Sequence, residues 1–142
     1  MIQFQNEFVV IELVNNATAI SLCWKGFVPS AKYREALEKA IEIARKHRIT
    51  NWISDIRLMK VLAVKDQEWA GTVWLPKVVS AGCYKKQAVI MPEDIFGKAS
   101  ASSLLTTVQN QQIEIQNFTS PEDAKQWLAQ HSNKNVSQLV AQ

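Results

Sequence analysis

The chain has 142 residues, 47% of them hydrophobic and 20% charged, as expected of one ordinary globular domain with a buried core. Its 16 lysines and arginines nearly balance 13 acidic residues, for a net charge of +3, which is too even for the clustered basic face of a nucleic-acid-binding protein. No signal peptide opens the sequence and no apolar run is long enough to span a membrane, so we expect a cytoplasmic protein with reduced cysteines.

The N-terminal part of the chain predicts a β-hairpin. Phe8–Val14 is rich in β-branched residues, which are typical of strands. Asn15 and Asn16 follow, and asparagine tolerates the positive φ of a tight turn. We therefore expect a return strand over Ala17–Lys25 that ends at Gly26.

A helix and a buried strand are predicted next. Pro29 and Ser30 start the helix, and the Ser30 side chain is suited to cap it. Apolar residues recur at helical spacing and predict one buried stripe. This stripe consists of Tyr33, Ala36, Leu37, Ala40, Ile41 and Ala44. Ile49–Ile56 is an apolar run that predicts the third strand.

The middle of the chain predicts a loop, a second helix and a fourth strand. The loop extends from Arg57 to Lys65, and the helix begins near Asp66. Pro76 lacks a backbone donor and clashes with the preceding turn, so this helix should kink or end there; Gly82 closes the element. Gln87–Met91 is the next strand, and the Lys85-Lys86 pair at its start suits a sheet edge.

The last third of the chain predicts two helices and an edge strand. Residues 97 to about 109 have helical spacing, and Ile113–Phe118 alternates apolar and polar residues as a half-exposed edge strand does. Ser120 and Pro121 open a helix with serine as cap and proline at its first position. The element order β-β-α-β-α-β-α-β-α predicts an α/β domain over residues 1–131, with a mixed sheet of about five strands. Residues 132–142 are expected to be a frayed tail.

No catalytic, cofactor-binding or metal-binding motif stands in the chain. The two histidines have no cysteine or acid at metal-ligand spacing, and the four glycines are scattered, unlike those of a phosphate-binding loop. A hydroxyl nucleophile requires an adjacent base such as histidine, and the serines at 100, 102 and 103 have no histidine nearby in the sequence. We therefore expect a protein that is not an enzyme, with no catalytic residues, cofactor or metal.

Five residues are candidates for an interaction or ligand-binding surface: Asp55, Arg57, Lys60, Trp69 and Trp74. Asp55 and Arg57 end the third predicted strand, where functional groups of open α/β sheets collect. The loop that follows is apolar and carries Lys60, and apolar loops beside tryptophans suggest a sticky patch. The competing interpretation is that Leu58, Met59 and Val61 fold back into the core.

Each candidate also has a structural interpretation. Asp55 and Arg57 share a strand face and can form a local ion pair that contributes little. Trp69 and Trp74 are five positions apart, or roughly 140° around a helix, so they do not share one narrow stripe. Either one packs inward while the other lies near the surface, or both belong to the core.

The element order resembles that of small bacterial STAS-like proteins, which share the sulfate-transporter and anti-sigma-antagonist fold. The residues that carry the resemblance are Trp24-Lys25-Gly26-Phe27, Trp52–Arg57, Asp66–Trp69, Trp74-Leu75-Pro76 and Asp123–Leu128. It extends from Phe8 to Leu128 and is to the sporulation anti-sigma-antagonist-like branch, whose fold is also similar to CRAL-TRIO lipid-transfer domains. The resemblance implies a STAS-like mixed sheet.

The leading functional hypothesis is a cytoplasmic regulatory or protein-interaction module that binds a protein partner or forms a homodimer. The alternative is a carrier that binds a small apolar or lipid-like ligand between the helices and the sheet. Anti-sigma antagonists carry a phosphorylatable serine in the turn after the third strand. Here no serine or threonine lies between Asp55 and Trp69, so we predict no phosphorylation switch in that turn.

Overall fold

A computed structural model describes residues 1–96 and 113–130 of the chain. The strands are β1 (Ile2–Gln5), β2 (Val9–Val14), β3 (Ala19–Phe27), β4 (Asn51–Val61), β5 (Lys86–Ile90) and β6 (Glu114–Phe118). The helices are α1 (Ser30–His47), α2 (Val64–Trp69), α3 (Leu75–Ser80), α4 (Glu93–Phe96) and α5 (residues 121–130), and a π-helical turn, Ala70–Trp74, joins α2 to α3. The helix predicted over 97–109 and the tail predicted over 132–142 lie outside the described residues.

The strands form one six-stranded mixed sheet in the order β1-β2-β3-β4-β5-β6. The pairs β1–β2 and β2–β3 are antiparallel, and β3 to β6 are parallel neighbours. The five predicted strands are all present, and β6 lies at the edge of the sheet as predicted. β1 was not predicted, because its four residues, Ile-Gln-Phe-Gln, are too few to give a distinct alternation.

The turn between β2 and β3 has the positive φ angles predicted for its asparagines, but it is longer than predicted and includes Ala17, so the return strand begins at Ala19 and not at Ala17. Asn15, Asn16 and Ala17 have φ angles of 54°, 57° and 64°, and the Thr18 N–H donates to the Val14 carbonyl at 3.1 Å. β3 does not end at Gly26 as predicted. It continues to Phe27 because Gly26 accepts a φ of +76° while the strand stays paired with β4.

One face of the sheet is covered by α1 and by the α2–α3 segment. The predicted stripe of α1 is confirmed, since each of its residues is buried: Tyr33, Ala36, Leu37, Ala40, Ile41 and Ala44. The prediction that Ser30 caps α1 is wrong. Pro29 occupies the cap position, and the Ser30 hydroxyl donates instead to the buried Asp66 carboxylate, with 2.6 Å between Oγ and Oδ2.

The other face of the sheet is covered by α5. Ala124 and Leu128 pack there against Ile53 and Ile90, and Trp127 lies at the border of this cluster. The Ser120 hydroxyl accepts a long hydrogen bond of 3.5 Å from the Asp123 N–H, as predicted for the capped start of this helix. The sheet is therefore enclosed by one helical layer on each side.

Pro76 neither ends nor interrupts the helical segment, which continues to Ser80. The π-helical turn Ala70–Trp74 comes directly before it, and Pro76 falls in the first turn of α3. A first-turn position needs no backbone donor, and a π-helical turn changes the hydrogen-bond register ahead of the proline. The expected kink or end is thus replaced by a local change of helix type, and Gly82, with φ +74°, closes the segment as predicted.

The Lys85-Lys86 pair does not protect a sheet edge. β5 lies between β4 and β6, and Lys86 is only 2% exposed. Its Nζ atom lies 3.7 Å from the centre of the Trp127 ring and donates to the Trp127 carbonyl at 3.2 Å. This lysine therefore connects the sheet to α5, and only its neighbour Lys85 faces solvent.

Within the described ranges, no helix combines the length and apolar character needed to cross a membrane. In the same part of the chain, no group of three or more histidine, cysteine, aspartate or glutamate side chains is placed to hold a metal ion.

Candidate functional site

The strand that carries Asp55 and Arg57 is longer than predicted. β4 runs from Asn51 to Val61, so the predicted loop from Arg57 to Lys65 is wrong over its first half. β4 pairs with β5 only as far as Asp55, but it pairs with β3 to its end. Asp55 and Arg57 therefore lie inside a strand, at the point where the neighbouring strand β5 stops.

Beyond that point the sheet continues as a two-stranded ribbon, formed by residues 25–27 of β3 and 58–61 of β4. β4 contains an additional residue at two places, between Asp55 and Leu58 and between Met59 and Val61. Such bulges bend a strand and increase its twist. The ribbon was not predicted, because its alternation of apolar and polar residues is broken at each bulge.

Asp55 and Arg57 form the local pair that one interpretation of the sequence predicted. Arg57 Nη2 lies 2.7 Å from Asp55 Oδ2, and Nε lies 3.0 Å from Oδ1. The backbone N–H of Arg57 also donates to Oδ1, at 3.2 Å. The side-chain hydrogen bonding that Arg57 donates to the Asp55 carboxylate raises the pKa of Arg57. The two side chains thus satisfy each other's charge, and the guanidinium remains partly exposed.

Cys23 lies beside this pair, opposite Asp55 on the neighbouring strand. Burial raises the pKa of the Cys23 thiol, and the Asp55 carboxylate raises it further. The thiolate is the nucleophilic form of cysteine, so these surroundings keep Cys23 in its unreactive form.

Large apolar side chains are exposed along the ribbon and at the start of α2. The exposed fractions are 68% for Phe27, 62% for Leu58, 56% for Val61 and 69% for Val64. We call these four residues the apolar patch. Phe27 and Val61 are direct neighbours across the two strands. The interpretation in which Leu58 and Val61 fold back into the core is wrong, whereas Met59 does pack against it.

The charged residues of the ribbon and of the segment that follows it up to Lys65 have one sign. Residues 25–27 and 57–65 contain Lys25, Arg57, Lys60 and Lys65 but no acidic residue. Arg57 is paired with Asp55, and the three lysines are exposed. The predicted candidate Lys60 thus belongs to a cationic border around exposed apolar groups.

The two candidate tryptophans have different surroundings, as one interpretation predicted. Trp74 is buried, and its indole N–H donates to the Leu37 carbonyl of α1 at 2.8 Å. It packs edge-on against Trp52, with 5.3 Å between ring centres. Trp69 is partly buried, and the Arg34 guanidinium lies 5.1 Å from its ring centre.

The five candidate residues therefore do not form one surface. Asp55 lies two positions after Ile53, which packs under α5, whereas Trp74 packs with Trp52 on the opposite face of the sheet. Lys60 lies on the ribbon, beyond the point where β5 stops. Whether these residues border a functional surface stays a prediction.

A cavity of about 440 Å³ lies between the sheet and the helices on the Trp74 side. Leu22 and Trp24 of β3 form part of its floor, and Tyr33 of α1 forms part of its wall. The π-helical turn contributes Trp74, and Tyr84 comes from the segment that leads into β5. Ligand pockets usually have volumes of about 300–1,000 Å³, so this cavity is large enough for a small molecule.

Two kinds of buried polar residue near these sites were not predicted from the sequence. Asp66 is fully buried and accepts hydrogen bonds from Ser30 at 2.6 Å and Arg34 at 3.3 Å, which ties α2 to α1. In the sequence it resembles an ordinary acid in the first turn of a helix. Tyr33 was predicted only as a member of an apolar stripe, and Tyr84 was not singled out.

Comparison with known proteins supports the fold and leaves the function open. No protein-family model matches the chain, and no curated protein matches it. A solved structure that is similar to it is an uncharacterized protein of the DUF3478 family with a SpoIIAA-like fold, from Shewanella loihica PV-4. The two share 20% sequence identity with a TM-score of 0.55, over 89% of this chain and 98% of that one. The chain thus has a SpoIIAA-like, STAS-like fold, which confirms the resemblance inferred from the sequence.

Proposed function

We propose that the chain is a non-enzymatic cytoplasmic protein-interaction module whose contact surface is the apolar patch with its lysine border. The observation that carries the proposal is the clustering of exposed apolar groups. Eight large hydrophobic residues of the described part of the chain are exposed, and four of them form the apolar patch. Scattered apolar residues are normal on protein surfaces, whereas contiguous patches mark interaction sites.

The lysines favour a partner with a different surface over a second copy of this chain. A two-fold dimer places the same patch on both sides of the interface, so Lys25, Lys60 and Lys65 of one copy would face those of the other. Like charges across an interface oppose association. The complementary partner presents apolar side chains bordered by carboxylates.

The edge of β4 supports a partner that binds as an extended strand. Beyond Asp55, β4 is paired with β3 on one side, and no described strand pairs with it on the other. An open strand edge is a template for strand addition, in which backbone hydrogen bonds give affinity and side-chain contacts give specificity. The cytoplasmic location is supported by Cys23 and Cys83, which are both free thiols, as is usual in a reducing compartment.

The proposal is tested with the double variant Phe27→Ser, Leu58→Ser and a matched control, Val73→Ser, Ile95→Ser. All four side chains are about half exposed or more, so each substitution should change the free energy of unfolding by no more than about 0.5 kcal/mol. Affinity capture from the native host should recover an acidic partner with the wild type and the control, but not with the Phe27→Ser, Leu58→Ser variant, which we call the ribbon variant. The purified partner should then bind directly, and more weakly as salt rises.

Three outcomes contradict the proposal. The first is a purified partner that binds the ribbon variant as strongly as the wild type. The second is a wild-type dimer, seen by sedimentation, that the ribbon substitutions abolish, because the patch would then serve self-association. The third is pelleting with anionic lipid vesicles that depends on Phe27 and Leu58, because the patch would then be a membrane-contact surface.

A carrier of small apolar ligands remains a second candidate, favoured by the cavity beneath Trp74. The cavity and the apolar patch are formed by different residues. The two candidate functions can therefore be tested independently in the same protein.

A further inference from the structure

Two tyrosine hydroxyls at the cavity lack a hydrogen-bond partner within the described residues. Tyr33 and Tyr84 both line the cavity and are only 8% and 6% exposed. The indole groups of Trp52 and Trp74 donate to the Cys83 and Leu37 carbonyls, but neither tyrosine hydroxyl has such a contact. The buried side-chain atoms without a partner in the described residues are Asn6 Nδ2 and Asn117 Oδ1. The two tyrosine hydroxyls are not among them, so they are open to water or to a ligand in the cavity, and a ligand that displaces the water must replace its hydrogen bonds.

The other polar groups of the cavity are also uncharged. They belong to Ser54 of β4, Gln67 of α2 and Gln87 of β5, and no described residue that lines the cavity is charged. Burial raises the pKa of both tyrosines, so they are neutral hydrogen-bond donors at physiological pH. An anionic ligand would lose its hydration and gain no opposite charge in return. For a cationic ligand, the Asp66 carboxylate that raises the pKa of Tyr33 is already paired with Arg34.

Much of the cavity wall is aromatic. Trp74 and Tyr84 meet edge-on at 5.8 Å between ring centres, and Trp24 and Tyr33 meet at 5.1 Å. Aromatic walls with a few convergent polar groups are typical of small-molecule sites. The π-helical turn contributes Ala70, Gly71 and Trp74 to the wall. It is a second, independent indication of a binding site, because such turns frequently occur at functional sites.

We infer that this cavity binds an uncharged, largely apolar small molecule that carries a carbonyl or ether oxygen, and that Tyr33 and Tyr84 donate hydrogen bonds to that oxygen. This inference deepens the carrier candidate by naming the class of ligand. It does not depend on the apolar patch or on a protein partner.

Three probes of nearly equal shape separate the possible ligand chemistries. Acetonaphthone is neutral and has a carbonyl acceptor, methylnaphthalene is neutral without an acceptor, and naphthoate is an anion. Calorimetric titration of the wild-type protein should rank acetonaphthone first. Methylnaphthalene should bind about two- to tenfold more weakly for each hydrogen bond lost, and naphthoate should bind weakest.

The role of the hydroxyls is tested with the double variant Tyr33→Phe, Tyr84→Phe, which keeps both rings. Acetonaphthone should lose its advantage and bind no more tightly than methylnaphthalene, while methylnaphthalene binds the variant as it binds the wild type. The location is tested with Ser54→Leu, which puts a larger side chain at the cavity and should abolish binding of both probes. Ser21→Leu, a half-buried serine of β3 outside the cavity lining, is its matched control and should leave binding intact.

The inference is overturned if wild-type protein binds none of the probes, if naphthoate binds as tightly as acetonaphthone, or if the tyrosine variant keeps the preference for the ketone. Circular dichroism confirms that each variant is folded. The Phe27→Ser, Leu58→Ser variant should bind acetonaphthone like the wild type, so failure of the cavity inference and failure of the interaction proposal give different results.

Discussion

Tyr33 holds its hydroxyl in surroundings that disfavour the charged form. Burial raises the pKa of Tyr33 to about 12, and the Asp66 carboxylate adds to the increase. In the unfolded chain the same group ionises near pH 10. The folded state therefore binds a proton that the unfolded state has released, over the range from about pH 10 to about pH 12.

This difference predicts how stability depends on pH. The stability linked to the Tyr33 proton is fully present below about pH 10 and is lost as the pH rises through about 12, by roughly 2–3 kcal/mol in all. Tyr33→Phe also removes the contribution of Tyr33 to the raised pKa of Tyr84, and this change acts in the same direction, because it lets Tyr84 ionise more easily in the folded variant. Urea denaturation of both proteins at several pH values should show the wild type losing more stability than the variant. Parallel losses in the two proteins would contradict the prediction.

At the residue scale, contacts between residues close in the sequence were predicted better than contacts between distant residues or the burial of single side chains. The Asp55–Arg57 pair follows from two oppositely charged residues two positions apart on a strand, and the structure has it. The contact of Asp66 with Ser30 joins residues 36 positions apart, and no local pattern contains it. The same limit explains why a buried lysine, Lys86, was predicted to lie at an exposed edge.

The end of α1 has a conformation that its residue does not favour. Arg48 follows the helix with φ +55°, and its N–H bonds to the Ala44 and Arg45 carbonyls. A left-handed residue at this position is a common helix ending, and glycine usually provides it because other residues incur a steric penalty. Arg48 is exposed, so its side chain does little to offset this penalty.

Arg48→Gly should therefore stabilise the protein. Relief of a penalty of about 1–2 kcal/mol is partly offset by the greater freedom of glycine in the unfolded chain, leaving a gain of about 0.5–1 kcal/mol. Arg45→Gly, one turn earlier and within the helix, should instead lose about 1 kcal/mol. Thermal and urea denaturation of the two variants should show opposite signs, and a loss of stability in Arg48→Gly would refute the argument.

At the element scale, the limits of prediction have local causes. The stripe of α1 was predicted in full because helical spacing is a strong signal. The course of the chain at Pro76 was not, because a π-helical turn absorbs the missing donor, and no sequence pattern identifies such a turn. The length of β4 was underestimated because its bulges break the alternation on which strand prediction depends.

At the scale of the whole molecule, the described part of the chain forms one sheet with a helical layer on each face. α1 and the α2–α3 segment pack on one face, and α5 packs on the other. The STAS-like fold was predictable because it depends on the order of elements. The cavity was not predictable, because it is formed by side chains from α1, the π-helical turn and four different strands.

Because both helical layers share the same sheet, we expect them to unfold in one cooperative transition. Leu37 of α1 and Leu128 of α5 are buried on opposite faces, and each substitution to alanine should cost about 2–5 kcal/mol. Leu37 lines the existing cavity, so its cost should fall at the low end. With no shared contacts, the two costs should add in the double variant to within about 0.5 kcal/mol.

Urea titrations followed by tryptophan fluorescence and by circular dichroism should coincide in both single variants. An early, separate transition in Leu128→Ala would contradict this expectation, because it would show that the α5 layer detaches while the rest of the fold persists.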